Sequence, residues 1–424
     1  VLTDHLGRAD DPWERRWTWD SGLPPRWLLV GYTGSPQDPG DDAVALCADI
    51  DGLFVDLPPR PRERFTLLGC VPDGALASVL DSMASHAAEP ERAWLDDLWL
   101  SAAPDQPAAR RGWIGERLLD VTVLGHRPSR TSPERLDIDL EGLVDVYDRT
   151  DGVARPDDVT EFVLSGPDGA SCGVCADVTG VFREPAAPPV PLVTLVGCRP
   201  EPPLLTAIAA VHQTTKAGLR RRRVGAHVGA VAADGSAVGL TYGIVSGTVL
   251  SSSPSRLDRD LLDVTIASDA REPCPAGTRG ILDRWFTGRP TERNLWARYD
   301  RTLRHEWTGV ALAHLARRNT PDQPAGTAFH LDGRFVTDIE GFYCALGEAI
   351  NGPGGYFGWN LDGLADCLCG KYGATAPFRL VWHDSAVARR HLVAGYDRRR
   401  HAPAVTLDVL LGLLAERGID IDLR

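Results

Sequence analysis

The sequence predicts an α/β protein in which two tandem mixed α/β repeat modules precede a C-terminal domain with a small parallel sheet under helical cover. Two observations carry this. Segments 128 residues apart match without a gap over residues 47–76 and 175–204. From Thr327 onward, short apolar strands alternate with helical patterns, the order expected of a parallel sheet. The resulting division is an N-terminal extension over 1–26, module one over 27–150, module two over 161–302, a helix and linker over 303–326, and a final domain over 327–424.

The repeat is read position by position. Cys47-Ala48-Asp49-Ile50 returns as Cys175-Ala176-Asp177-Val178, and Gly52 and Phe54 as Gly180 and Phe182. Thr66-Leu67-Leu68-Gly69-Cys70 returns as Thr194-Leu195-Val196-Gly197-Cys198, and Pro72 and Leu76 as Pro200 and Leu204. Further on, 118–123 matches 261–266 and 147–150 matches 299–302, which requires some 24 residues inserted in module two near 228–250. Two units of this size form a tandem pair rather than a solenoid.

Within each module, residues 45–56 alternate around Asp51-Gly52 and read as a hairpin. Residues 65–70 form a buried strand, 72–83 a helix with Leu76, Val79, Leu80 and Met83 on one face, and 119–124 another strand. In module two, Ala233-Asp234-Gly235-Ser236 sits between apolar runs, again as a hairpin turn. Residues 303–318 read as an amphipathic helix and 319–326 as a polar, Pro-rich linker, so a fragment starting near Pro324 is expected to fold alone.

In the final domain, 328–331 is a strand ending at Asp332-Gly333. Thr337 and Glu340 form a capping box before a helix bearing Phe342, Leu346 and Ile350. Gly352-Pro353-Gly354-Gly355 stops it. Asn360 opens a second helix that Gly370 ends, 378–382 is a strand, Ser385 caps a third helix over 386–393, 405–417 is a fourth, and 419–423 is the last strand.

Composition bounds the function. The 424 residues are 43% hydrophobic and 24% charged, an ordinary folded composition. The net charge of −13 argues against a general nucleic-acid binder and for a cationic partner. Lys216 and Lys371 are the only lysines. Residues 1–17 lack the apolar stretch of a secretory signal, and no run has the length of a membrane span. The nine cysteines read as free buried thiols in a reducing cytosol, so a cytoplasmic location is expected.

The second C-terminal helix holds the sharpest signal. Leu361, Leu364, Ala365 and Leu368 make its core stripe, while Asp362 and Asp366 lie one turn apart beside it. Like charges at this spacing repel, and no basic residue lies one turn away to compensate. From spacing alone the pair is either a solvated face or a carboxylate pair held for a cationic partner.

The run Tyr356-Phe357-Gly358-Trp359-Asn360-Leu361-Asp362-Gly363-Leu364-Ala365-Asp366-Cys367-Leu368 strongly resembles the signature of the barstar family, the intracellular inhibitors of barnase-type ribonucleases. Leu331-Asp332-Gly333, Leu380-Val381-Trp382 and Gly418-Ile419-Asp420-Ile421 agree with it. The resemblance covers residues 327–424 only, and 1–326 resemble no family. It implies a three-stranded parallel sheet with helices, and a bacterial immunity or antitoxin-like protein whose acidic helix plugs a basic nuclease active site. It also implies roles: Asp366 as the phosphate mimic, Asp362 as a second acid, and Tyr356 as the aromatic packed on a catalytic histidine. Phe357, Trp359, Asn360 and Gly370 complete the expected partner-binding set. The chain departs from the family at Ala365, where tryptophan is common, at Lys371, where an aromatic is usual, and at Leu413, where the best-known members carry an acid. These departures point away from barnase itself and toward a diverged ribonuclease or another toxin nuclease as the target.

Weaker signals read as structure. Cys172-Gly173-Val174-Cys175 lacks a second ligand pair and reads as buried thiols ahead of metal or redox chemistry. Cys367 reads as packed and Cys369 as exposed. Arg220-Arg221-Arg222-Arg223 reads as a solvated turn favouring a helix C-terminus. Asp137 and Asp139 have no partners for a metal site, and His330 reads as structural. No nucleotide, zinc-protease or hydrolase motif stands in suitable context. The expectation is a non-enzymatic ribonuclease inhibitor with no catalytic residue, metal, cofactor, membrane or direct nucleic-acid contact. The rivals are an N-terminal enzyme or separate scaffold that the C-terminal domain targets or regulates, and an interaction protein with no nuclease partner.

Overall fold

The computed structural model describes residues 11–19, 22–31, 42–84, 92–110, 113, 115–145, 154–184, 192–269, 273–315 and 321–424. In chain order come β1 (Trp27–Gly31), β2 (Ala43–Asp51), β3 (Glu63–Pro72), α1 (Gly74–Ala84), β4 (Ala93–Ala102), the short α2 (Pro107–Arg110), β5 (Glu116–Pro128), β6 (Leu136–Val144), β7 (Phe162–Ser165) and β8 (Ser171–Thr179). There follow β9 (Val193–Pro200), α3 (Pro202–Ala209), α4 (Lys216–Arg221), β10 (Arg223–Val231), β11 (Ala237–Pro254), β12 (Leu262–Ser268), α5 (Thr278–Trp285) and α6 (Arg301–Leu315). The C-terminal region contributes β13 (Ala328–Asp332), α7 (Ile339–Asn351), α8 (Leu361–Cys367), β14 (Arg379–His383), α9 (Ser385–His391), β15 (Tyr396–Asp397), β16 (Ala402–Pro403), α10 (Leu407–Glu416) and β17 (Asp420–Leu423). Among the described residues no helix is long and apolar enough to cross a membrane.

The chain divides into two units, one of Val1–Leu57, Pro189–Val393 and Val405–Arg424, the other of Pro58–Pro188 and Ala394–Ala404. The first contains a closed barrel in the order β1-β10-β11-β12-β9-β2, and the second a closed barrel in the order β3-β6-β5-β4-β7-β8. Neighbouring staves are antiparallel throughout both. This corrects the expected α/β modules. The staves alternate buried and solvated residues, as in β10 and β6, which suits an antiparallel wall with one wet face. The helix that suggested a parallel crossover, α1, joins β3 to β4, which are not neighbours in the barrel.

Residues 27–150 and 161–302 do not each close a barrel: β1 and β2 join β9 to β12, while β7 and β8 join β3 to β6. Matched residues therefore lie in different barrels, at equivalent places. Cys47 stands opposite Cys198 and Cys70 opposite Cys175, all fully buried. Burial pushes the Cys47 and Cys175 thiols up, and that of Cys70 to about 12, so they remain protonated packing groups. Gly52 and Gly180 have φ of +81° and +86°; a Cβ would lie 2.0 Å from the Leu192 carbonyl oxygen at one and 2.6 Å from that of Arg64 at the other. This left-handed turn ends β2, so the hairpin expected over 45–56 does not form, and β2 pairs with β1 and β9 instead.

The strand order also corrects the alignment of 118–123 with 261–266. β6 holds the place in its barrel that β12 holds in the other, so residues 136–140 correspond to 262–266. The carboxylates agree: Asp137 accepts from the Gly69 N–H at 3.0 Å and Asp263 from the Gly197 N–H at 2.9 Å. No insertion is then needed, and residues 228–250, antiparallel across the expected turn at 233–236, are wall of the barrel. The match of 147–150 lies outside the described residues.

The C-terminal sheet has the order β13-β14-β17, with both pairings parallel as expected. α7 packs on β13 and α10 on β17. Phe342 of α7 stacks on Trp382 of β14, ring centroids 5.3 Å apart. Within the same unit, the apolar core is continuous from Val264 and Ile266 of the barrel through Trp307 of α6 to Phe342 and Leu346 of α7. Two caps differ from expectation. Asp338, one residue after Thr337, caps α7 by accepting from the Gly341 N–H at 2.7 Å, and Ser385 donates its hydroxyl to the Arg424 carbonyl instead of capping α9. The hairpin of β15 and β16 was not foreseen. It belongs to the second unit, where the Tyr396 hydroxyl donates to Asp97 at 2.5 Å and Arg398 pairs with Asp120 at 3.3 Å.

Candidate functional site

The acidic helix α8 is built as its sequence requires. Asn360 is its N-cap, extended at φ −150° and ψ 177°, with its side chain accepting from the Gly363 N–H at 2.6 Å. Leu364, Cys367 and Leu368 are buried, each leucine contributing about 1.5–3 kcal/mol of apolar burial. Gly358 enters the helix at φ +94°, where a Cβ would meet the Leu364 backbone at 2.9 Å, so no other residue fits without displacing the helix.

Asp362 and Asp366 are exposed, and among the described residues neither makes an ion pair or a side-chain hydrogen bond. Asp332, Asp338 and Asp422, in the same C-terminal region, each hold an arginine, whereas the exposed Asp384 and Asp408 show no ion pair among the described residues. Leu361 and Leu364 hold the helix down, while the two carboxylates add one stretch of uncompensated negative charge.

The structure distributes the other expected partner residues differently. Phe357 is fully buried, its ring edge-on to Phe378 at 6.3 Å, so its side chain belongs to the core and is withdrawn from the partner-binding set. Its place in the apolar run before Gly358 explains this: the chain must turn inward to close the domain. Tyr356 is only 4% exposed and packs toward Tyr372, centroids 6.4 Å apart, and burial pushes its phenol up. It therefore offers little surface to a partner. Trp359 is half-buried, its ring stacked on His305 of α6 at 5.1 Å and 5°. Gly370, at φ +96°, begins the loop that leaves α8. As expected, Cys367 is buried, its thiol raised to about 12 by burial and then by the Asp366 charge, and Cys369 is exposed.

Sequence reasoning missed three supports. Asp322, read as linker, accepts from the Lys371 N–H at 2.6 Å and the Gly373 N–H at 2.7 Å, and Gln323 bridges to Ala374. His305 covers Trp359. Arg301 pairs with Glu340 of α7, which is 1% exposed, and the Asn294 N–H donates to Glu348 of α7 at 2.9 Å. The signal available was the pair of glutamates on α7, whose buried face required outside donors.

The weaker sequence signals resolve as structure. Cys172 and Cys175 are buried free thiols. Arg222 donates to the Val249 carbonyl and Arg223 pairs with Asp269. The His330 Nδ1 lies 3.0 Å from the His383 Nε2 on the neighbouring strand.

No curated protein and no solved structure matches the chain. The region before residue 327 has no recognised family. Residues 327–402, which contain β13, α7, α8, β14 and the site just described, match the Barstar family model, barstar (barnase inhibitor).

Proposed function

We propose that this protein inhibits a basic ribonuclease by seating Asp362 and Asp366 of α8 in the nuclease active site. The observation that carries the reading is the pair of exposed carboxylates without ion pairs among the described residues, on a helix fixed at its N-cap and along its apolar stripe, inside a region that matches an inhibitor family. A ribonuclease binds a polyanion, so its cleft is basic, and a carboxylate on a rigid helix imitates the phosphate without being cleaved. Asp366 is the main anchor, Asp362 a second one, and Asn360, Gly370 and the half-buried Trp359 shape the surface around them, with Tyr356 packed beneath. The net charge of −13 speeds encounter with a basic partner. The nine free thiols suit a reducing cytoplasm, where an immunity or antitoxin role is exercised.

The same reading takes the N-terminal region as an internal duplication whose two copies have exchanged their first hairpins, serving as scaffold or second binding surface and not as an enzyme. The equal strand orders and the two cross-strand cysteine pairs support this.

The experiment is inhibition of RNA cleavage by purified barnase-type ribonucleases, with stoichiometry by calorimetry. Asp366→Ala should weaken binding roughly 30-fold to several thousand-fold, as removal of a desolvated charge partner does. Asp408→Ala, an exposed acid in the first turn of α10, should leave it unchanged. Equal affinities for the two variants would sink the phosphate-mimic reading.

A further inference from the structure

The loop that leaves α8 holds three of four residues in the left-handed region: Gly370 at φ +96°, Lys371 at +75° and Gly373 at +108°. Glycine adopts this backbone freely, whereas lysine is strained there. The strain is held in place from outside. Asp322 accepts from the N–H groups of Lys371 and Gly373, the Gln323 N–H donates to the Gly373 carbonyl at 3.0 Å, and the Asn351 side chain donates to the Tyr372 carbonyl at 2.8 Å. All of these restraints grip backbone, and none uses the lysine side chain. Lys371 is exposed, and among the described residues its ammonium makes no ion pair or hydrogen bond. A side chain that strains the chain and does nothing for the fold, where glycine would sit unstrained, points to a role outside the fold.

That role follows from position and charge. Lys371 lies five residues beyond Asp366, on the rigid loop continuing from the acidic helix. A partner offering only positive charge would be repelled by it. We propose that Lys371 is a specificity-determining contact that pairs with a carboxylate of the nuclease, placed beside the basic cleft that receives Asp362 and Asp366. The proposal rests on the inhibitor reading and adds to it the kind of partner: a ribonuclease with a basic cleft and an acidic group on its rim. The opposed charges fix register and reject basic proteins that lack the rim acid.

The test uses the full-length chain and a panel of purified, catalytically inactivated barnase-type ribonucleases, with affinity measured by calorimetry. On the ribonuclease bound best, Lys371→Glu should lower affinity roughly tenfold or more. Lys371→Gln should lower it roughly twofold to fivefold, the value of a rim pair, and Lys371→Arg should keep most of it. Lys371→Gly should melt at or above the wild-type temperature, because glycine relieves the backbone. If Lys371→Glu binds as tightly as wild type while Asp366→Ala binds weakly, the lysine contact is wrong and the inhibitor reading stands. A clearly lower melting temperature for Lys371→Gly assigns the side chain to the fold and overturns the contact as well. If the wild-type chain binds no member of the panel, both readings fall together.

Discussion

Helices α7 and α8 belong to the same C-terminal region, and each carries two acids, yet the acids have opposite fates. Glu340 and Glu348 of α7 are 1% and 2% exposed and are satisfied from outside their helix, Glu340 by Arg301 and Glu348 by the N–H groups of Asn294 and Gly354. Asp362 and Asp366 of α8 are exposed, and nothing among the described residues pairs with them. A buried carboxylate must be paired, and then it belongs to the fold. An exposed carboxylate needs no partner, so one left unpaired beside a second of the same sign is available to another molecule. The difference separates what holds the C-terminal domain from what it presents.

The strongest way to break the comparison is to orphan an acid of α7. Arg301→Ala leaves the Glu340 charge buried without its guanidinium and should destabilise the protein by about 3–5 kcal/mol in a urea melt. A fragment starting at Pro324 loses Arg301, Asn294 and Asp322 together. It should fail to unfold cooperatively, contrary to what its polar linker suggests; a sharp melt for that fragment would show that the contacts with residues before 324 are dispensable.

The matching change on α8 should invert the result. Asp366→Ala should reduce nuclease affinity by about 2–5 kcal/mol while stability changes by less than about 0.5 kcal/mol, because an exposed residue is removed and one i,i+4 repulsion with it. Thermal unfolding beside calorimetric binding separates the two effects. Loss of stability without loss of binding would place Asp366 with the acids of α7.

Asp322 lies between the two classes, since it holds backbone and not another charge. Asp322→Ala removes the acceptor of two loop N–H groups and should lower stability by about 1.5 kcal/mol. Amide exchange at Lys371 and Gly373 should rise in step, and unchanged protection there would show that the loop is held by other means.

The smallest effect is a pH slope. Burial raises the Glu348 pKa above its unfolded value, although the N–H donors from Asn294 and Gly354 oppose this. As pH climbs from the ordinary carboxylate range, the unfolded chain releases this proton first. Glu348 therefore contributes stability at low pH that is lost as pH rises through its raised folded value. Glu348→Gln should gain stability relative to wild type between that range and neutrality. A difference that stays flat or reverses across the same pH series would show that the carboxylate is fully compensated where it lies.

Much of the C-terminal domain was legible in the sequence. Local signals decided it: Asn360 as cap, the leucine stripe of α8, and the glycines that turn the chain at 352 and 370. The acid pair was legible for the same reason, since an i,i+4 spacing fixes a helix face. Phe357 was misjudged because a motif shows which residues belong together but not which of them point inward. The supports at Asp322, Arg301 and His305 were invisible because their partners lie 49, 39 and 54 residues away.

The N-terminal region divides the same way. Local pattern was enough to match 47–76 with 175–204, to place the strands at 65–70 and 119–124, and to mark a turn at Gly52. That β2 pairs with β9 and β3 with β8, so that each barrel draws staves from both matched segments, came from the packing of the whole chain. The physical reason is that a strand's alternation specifies a buried face and a wet one, but its backbone hydrogen bonds are the same with any partner of suitable register. Which strand supplies them is settled by the closing of the barrel, where every stave must find two neighbours.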